Sequence, residues 1–177
     1  MSDGKSSSSA AAAIDYQEIH DVLVQIALQA GEMITSAQPA VSGHGTKKDN
    51  SADLVTETDQ AVEKMIMEEL GRKYPGFEFM GEETYQPGDI LSSTPTFIID
   101  PIDGTTNFFH GWPYVAVSLG LAVDKKPVVG VVYNPFTQTL YSGITGRGAY
   151  MTTRPWSSNS NNNNSKEEKE GREKQTR

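Results

Sequence analysis

The 177-residue chain contains no cysteine. Disulfides and thiolate metal sites are excluded, and a reducing, cytoplasmic setting fits this composition without being required by it. Positive charge is scarce as well: 15 Lys and Arg stand against 23 Asp and Glu, a formal net charge of −8. A surface of that sign does not gather phosphate backbones, so nucleic acid is not expected as a partner. No run approaches the roughly 20 apolar residues that span a bilayer, so a membrane is not expected as a partner either. The opening "MSDGKSSSSAAAA" has one Lys and no apolar core, and does not read as a secretory signal. Residues 1–13 are expected to be a disordered arm.

What is present suits one domain or a large part of one, and a hydrophobic share of 36% permits a core. Ile19, Val22, Leu23, Ile26, Ala27 and Ala30 recur at helical spacing, with Asp15 and Glu18 as a capping box ahead of them. This predicts a long amphipathic helix that ends before Pro39. "VSGHGTKKDNSAD" is rich in Gly, Ser, Lys and Asn and reads as an exposed loop, in which Lys48 is either solvated or helps to hold an anion. A second helix is expected from near Thr58, with Val62, Met65, Ile66 and Leu70 on one face and Gly71 and Pro75 closing it.

Strand candidates follow: "FEFMG", "TFIID", "VAVSLGLAV", "PVVGVVYN" and "TLYSGI". The short connections "DKKP" and "PFTQ" predict an antiparallel meander. The fold class is therefore α+β or layered α/β, two N-terminal helices laid on a mainly antiparallel sheet. From about Thr152 the chain turns polar, Asn-rich and then mixed in charge, and residues 152–177 are expected to be a low-complexity, disordered tail without a core.

Acid is concentrated in the middle of the chain. From Asp53 to Asp103 there are twelve acidic residues and three basic ones. A solvated helix face accounts for Glu63, Glu68 and Glu69. It does not account for "FIIDPIDGTTNF", residues 97–108, where an apolar strand runs straight into Asp100 and Asp103. Charge at the end of a buried strand is costly unless it is paired or binds a metal. With the carbonyl of Ile102 as a third oxygen, this donor set suits Mg²⁺ better than zinc. "DGTTN" adds a glycine turn at a helix start, where backbone N–H groups favour a phosphate. "MGEET" places Glu82 and Glu83 after a strand, and "DLVTETD" places Asp59 at the head of a helix. Taken singly, Asp59 also reads as a helix cap, the Glu pair as ordinary surface and the two aspartates as an Asx turn.

"DLVTETD", "GEE" and "IDPIDGTTNF", in this order, resemble the inositol monophosphatase family, Mg²⁺-dependent and lithium-sensitive phosphatases, over residues 15 to about 150. The resemblance implies an αβαβα sandwich whose N-terminal part is residues 14–151, with the C-terminal half of the fold and its later Trp-Asp motif missing. It implies hydrolysis of inositol monophosphate to inositol and phosphate by a metal-activated water, so that the expected partner is a small phosphorylated polyol. Another small sugar phosphate, or a fragment that binds metal or a homologue without turnover, is the alternative. Glu82, Asp100 and the carbonyl of Ile102 would bind one Mg²⁺, and Asp100 with Asp103 a second. Asp59 would hydrogen-bond the Thr105 hydroxyl, and the two, with Glu82 and a metal, would orient and deprotonate the attacking water, while Gly104 and Thr105 would grip the phosphate through backbone N–H groups in a substrate site that also takes in Ile102 and Asp103. Lys48 matches a family lysine near the active site. A homodimer is implied for a full-length form.

Overall fold

The computed structural model describes residues 14–37 and 49–154. Their elements are α1 (Tyr16–Ala37), α2 (Asp49–Lys73), β1 (Glu78–Gly81), β2 (Thr96–Asp103), α3 (Thr105–Phe109), β3 (Ala116–Val123), β4 (Lys126–Asn134), β5 (Thr139–Ile144) and β6 (Gly148–Thr153). The strands form one six-stranded sheet in sequence order. β1 runs parallel to β2, and every later neighbour is antiparallel. The mainly antiparallel sheet expected from the sequence thus carries one parallel edge. Its 82–95 crossover is long enough to return the chain to the same end of the sheet, which a hairpin turn is not.

Both long helices pack on the sheet, α1 over β3, β4 and β5 and α2 over β2. Strand alternation supplies the matching surface: Phe97, Ile99, Val117, Leu119, Leu121, Val129, Val131 and Leu140 are buried. From the helices, Ile19, Leu23, Ile26, Ala27, Ala30 and Ile34 meet them, together with Val62, Ile66 and Leu70. Phe97 is the hub where α2 leaves the sheet, with Tyr74, Phe77 and Phe79 ring centroids 5.4–5.7 Å from its own. Two polar links tie the ends of the helices together: Tyr74 donates its hydroxyl to Glu18 at 3.3 Å, and Lys73 pairs with Glu18 at 3.2 Å.

Several expectations need correction. α2 begins at Asp49 rather than near Thr58, because the loop-forming glycines end at Gly45 and no Gly or Pro interrupts 49–70. At α1 only half of the capping box forms. Asp15 Oδ1 accepts from the amides of Gln17 and Glu18 at 2.9 and 3.2 Å, while Glu18 turns to Tyr74 and Lys73. β6 is an additional strand, paired along β5 through Thr153, so Thr152 and Thr153 belong to the sheet rather than to a polar tail. The expected arm at 1–13 and the rest of the expected tail lie outside the described residues. Among those described, no helix is long and apolar enough to cross a membrane.

Phe97 is fully buried at the junction of α2, β1 and β2. Replacing it by Ala is expected to cost about 3–5 kcal/mol, read as a lower urea midpoint with unchanged slope.

Candidate active site

β2 is a central strand that contains a proline, and the sheet accommodates it by a bulge. Asp100 pairs with Ser118 and Asp103 with Ala116, so β2 spends one more residue than β3 over this interval. Pro101 has no N–H to contribute to a ladder, which confines it to such irregularities. The bulge breaks the two-residue alternation that would send Asp100 and Asp103 to opposite faces. Asp100 is half-buried, Pro101 and Ile102 are buried, and Asp103 is exposed near enough to Asp100 to repel it.

Gly104 then turns the chain into α3 with φ 93°, in the left-handed region. A Cβ here would lie 2.7 Å from the Tyr114 carbonyl oxygen, so the position requires glycine on two counts. The same carbonyl accepts from Asn107 Nδ2 at 2.8 Å, which pins the end of α3 to the return of the chain into β3. Thr105 Oγ1 donates to the Ile102 carbonyl at 3.2 Å. This corrects the expected bond from Thr105 to Asp59: the hydroxyl is spent inside its own turn, on the carbonyl foreseen as a metal ligand, which keeps a second lone pair.

Three elements converge here. α2 brings Asp59 and, one turn later, Glu63; the end of β1 brings Glu82 and Glu83; the β2 bulge brings Asp100 and Asp103. Glu82 continues the ladder by donating its amide to the Ile99 carbonyl at 3.0 Å. This sets Glu82 beside Asp100, close enough for the two carboxyls to share a proton. Asp59 is only 3% exposed, and burial followed by the charges of Glu83, Glu82 and Glu63 pushes its pKa up to about 7. Asp100 is also pushed up to about 7, by burial first, then by the hydrogen bond and charge of Glu82, then by Asp103 and Asp59. Burial and its neighbours Glu63 and Glu82 raise Glu83. Among the described residues none of these six carboxylates forms an ion pair with Lys, Arg or His.

Glu63 escaped the sequence reading, which assigned it to a solvated face. It is 1% exposed, and its Oε2 accepts the backbone N–H of Glu83 at 2.9 Å. The signal was there in the spacing: Glu63 falls in register with Ile66 and Leu70, on the apolar stripe of α2. Lys48 lies outside the described residues.

The donor set fits a hard divalent cation. All the groups are oxygens, and Asp100 Oδ1 is buried without a hydrogen-bond partner. Among the described residues no three acidic or histidine side chains stand at a spacing that would enclose an ion by themselves. A cation here would draw on the Ile102 carbonyl and on water as well, as Mg²⁺ habitually does.

The sequence matches the Inositol monophosphatase family over residues 15–176. The chain belongs to the inositol monophosphatase family. A curated relative, inositol monophosphatase 3 of Solanum lycopersicum, is 46% identical over 141 residues, 78% of this chain and 52% of the relative. The crystal structure of inositol monophosphatase-II from Staphylococcus aureus superimposes with a TM-score of 0.67 at 31% identity, covering 76% of this chain and 49% of that one. SaIMPase-II solved with inositol monophosphate bound gives a TM-score of 0.61 at 31% identity, over 77% and 48% of the two chains. The chain spans about half the length of the curated inositol monophosphatases that it matches. Two helices on a mixed six-stranded sheet are thus what this member shares with its solved relatives.

The raised carboxyls make stability depend on pH. Between about pH 4 and pH 7 the folded chain keeps protons on Asp59 and Asp100 that the unfolded chain has released, so stability is highest at the acid end and falls as pH rises. Without divalent cation, the melting temperature is expected to be lower at pH 8 than at pH 5 by about 3 °C or more. Asp59→Asn is expected to flatten the fall, and calorimetry at both pH values checks it.

Proposed function

We propose that this chain serves Mg²⁺-dependent hydrolysis of inositol monophosphate to inositol and phosphate. The observation that carries this reading is the set of six carboxylates brought together from α2, β1 and β2, none of them ion-paired with Lys, Arg or His among the described residues, with Asp59 and Asp100 held near pKa 7. Membership of the inositol monophosphatase family supports it, as does a solved relative with inositol monophosphate bound.

Phosphate monoesters hydrolyse extremely slowly in water, so catalysis must provide a nucleophile and stabilise charge on the phosphoryl and leaving oxygens. Glu82, Asp100, Asp103 and the Ile102 carbonyl are the groups that would hold Mg²⁺. When bound, the ion supplies positive charge to the phosphoryl oxygens and Lewis acidity to water. Asp59, buried and poised near neutrality, is the carboxylate that accepts the proton of the attacking water. The amides of Gly104 and Thr105 grip the phosphate at the turn whose left-handed geometry Gly104 permits. Thr105 Oγ1 fixes the Ile102 carbonyl in place. Lys48 is the lysine that the family resemblance assigns to the phosphate, and a cytoplasmic setting fits a chain without cysteine.

The alternative is binding of metal or of a homologue without turnover. Phosphate release from inositol 1-phosphate separates the two. Release is expected only with Mg²⁺, and Asp100→Asn is expected to lower it by about a hundredfold or more, the scale of losing one charge-stabilising group. Mg²⁺ is also expected to raise the melting temperature of the wild type and to leave that of Asp100→Asn unchanged. A folded chain that gains stability from Mg²⁺ yet releases no phosphate would establish the second reading.

A further inference from the structure

Glu63 is the buried carboxylate for which the proposed reaction has no use. It sits one helical turn after Asp59 on α2, and only its Oε2 has a partner, the Glu83 amide at 2.9 Å. Its Oε1 is buried with none. A carboxylate so withdrawn from water is costly, and a single backbone hydrogen bond is small return unless that amide has to be held. Gly81 makes the approach possible, since a Cβ there would collide with both oxygens and the carboxyl carbon of Glu63.

The consequence falls on Glu82. Its own amide is bound to the Ile99 carbonyl at 3.0 Å, and the next amide, of Glu83, is bound to Glu63. The backbone on both sides of the Glu82 Cα is therefore anchored, one side to β2 and the other to α2. A residue clamped at consecutive amides cannot rotate its side chain away by a peptide flip. Glu82 itself is exposed, so side-chain packing does not hold it in position.

We propose that Glu63 is a positioning residue: through the Glu83 amide it fixes the turn after β1 so that the Glu82 carboxyl is presented to Asp100. Its effect on cation binding rests on the reading that Glu82 and Asp100 hold Mg²⁺. Its effect on the Glu82–Asp100 pair does not.

NMR on the full 177-residue chain tests both parts, with Glu63→Ala, Glu63→Gln and the core control Ile66→Val. Gln retains an acceptor at the right length for the Glu83 amide, and Ala does not. In the absence of metal, Glu63→Ala is expected to speed amide exchange at Glu83 and abolish the nuclear Overhauser contacts between the Glu82 and Asp100 side chains. Glu63→Gln and Ile66→Val are expected to keep both. With Mg²⁺ added, Glu63→Ala is expected to bind about tenfold more weakly than wild type, as for other groups that orient a ligand, and Glu63→Gln to restore the affinity. Persistence of the Glu82–Asp100 contacts in Glu63→Ala, or their loss in Glu63→Gln, overturns the proposal. A wild-type chain that binds no Mg²⁺ overturns the metal reading instead, and the metal-free contacts still decide the role of Glu63.

Discussion

Gathering Asp59, Glu63 and Asp100 out of water beside three more carboxylates opposes folding, and the rest of the chain is arranged to impose it. Like charges in a poorly solvated cleft repel, and the raised affinities of Asp59, Glu83 and Asp100 for protons measure that opposition. What holds them is apolar. α2 is fixed to β2 by Val62, Ile66 and Leu70, all fully buried, and by the aromatic group around Phe97. The core thus stores an electrostatic demand that a divalent cation would meet.

The local devices at the site share one logic, which is to remove backbone freedom where a side chain must be aimed. Pro101 forces the bulge, Gly104 makes the left-handed turn that follows it, and Thr105 locks the intervening carbonyl. Each is a departure from regular strand geometry, and each lies within a few residues of Asp100. Such irregularities persist where surrounding structure over-determines them, here by pairing with β3 on either side of the bulge and by the Asn107–Tyr114 bond that closes the turn.

Much of this was legible in the sequence because the signals are local. An apolar strand that runs into "DPID" announces its carboxylates whatever packs around it, and the strand alternation of β3 and β4 announces a sheet. Glu63 was less legible because its environment is made elsewhere. A Glu beside Lys64 and near Glu68 and Glu69 looks solvated until Gly81 is known to lie against it. The Thr105 hydroxyl was misassigned for a related reason: its choice between Asp59 and the Ile102 carbonyl depends on the turn geometry, which residue types alone do not determine. The early start of α2 was hidden by composition, since the Gly and Ser of 42–45 lent a loop character to the polar residues after them.

The parallel pairing of β1 with β2 has a consequence for how this site tolerates change. Gly81 stands in register with Ile99, the last paired rung, and the Glu82 amide donates to the Ile99 carbonyl at 3.0 Å, so Glu82 and Asp100 both follow directly on strands held at the usual spacing of neighbours, about 4.8 Å. The sheet thus sets the backbone spacing from which the two carboxylates extend. The crossover between the strands, exposed from Glu83 to Ile90, contributes nothing to that measure beyond its first residues. Its outer part is free to lengthen, shorten or change composition while the distance between Glu82 and Asp100 stays the same.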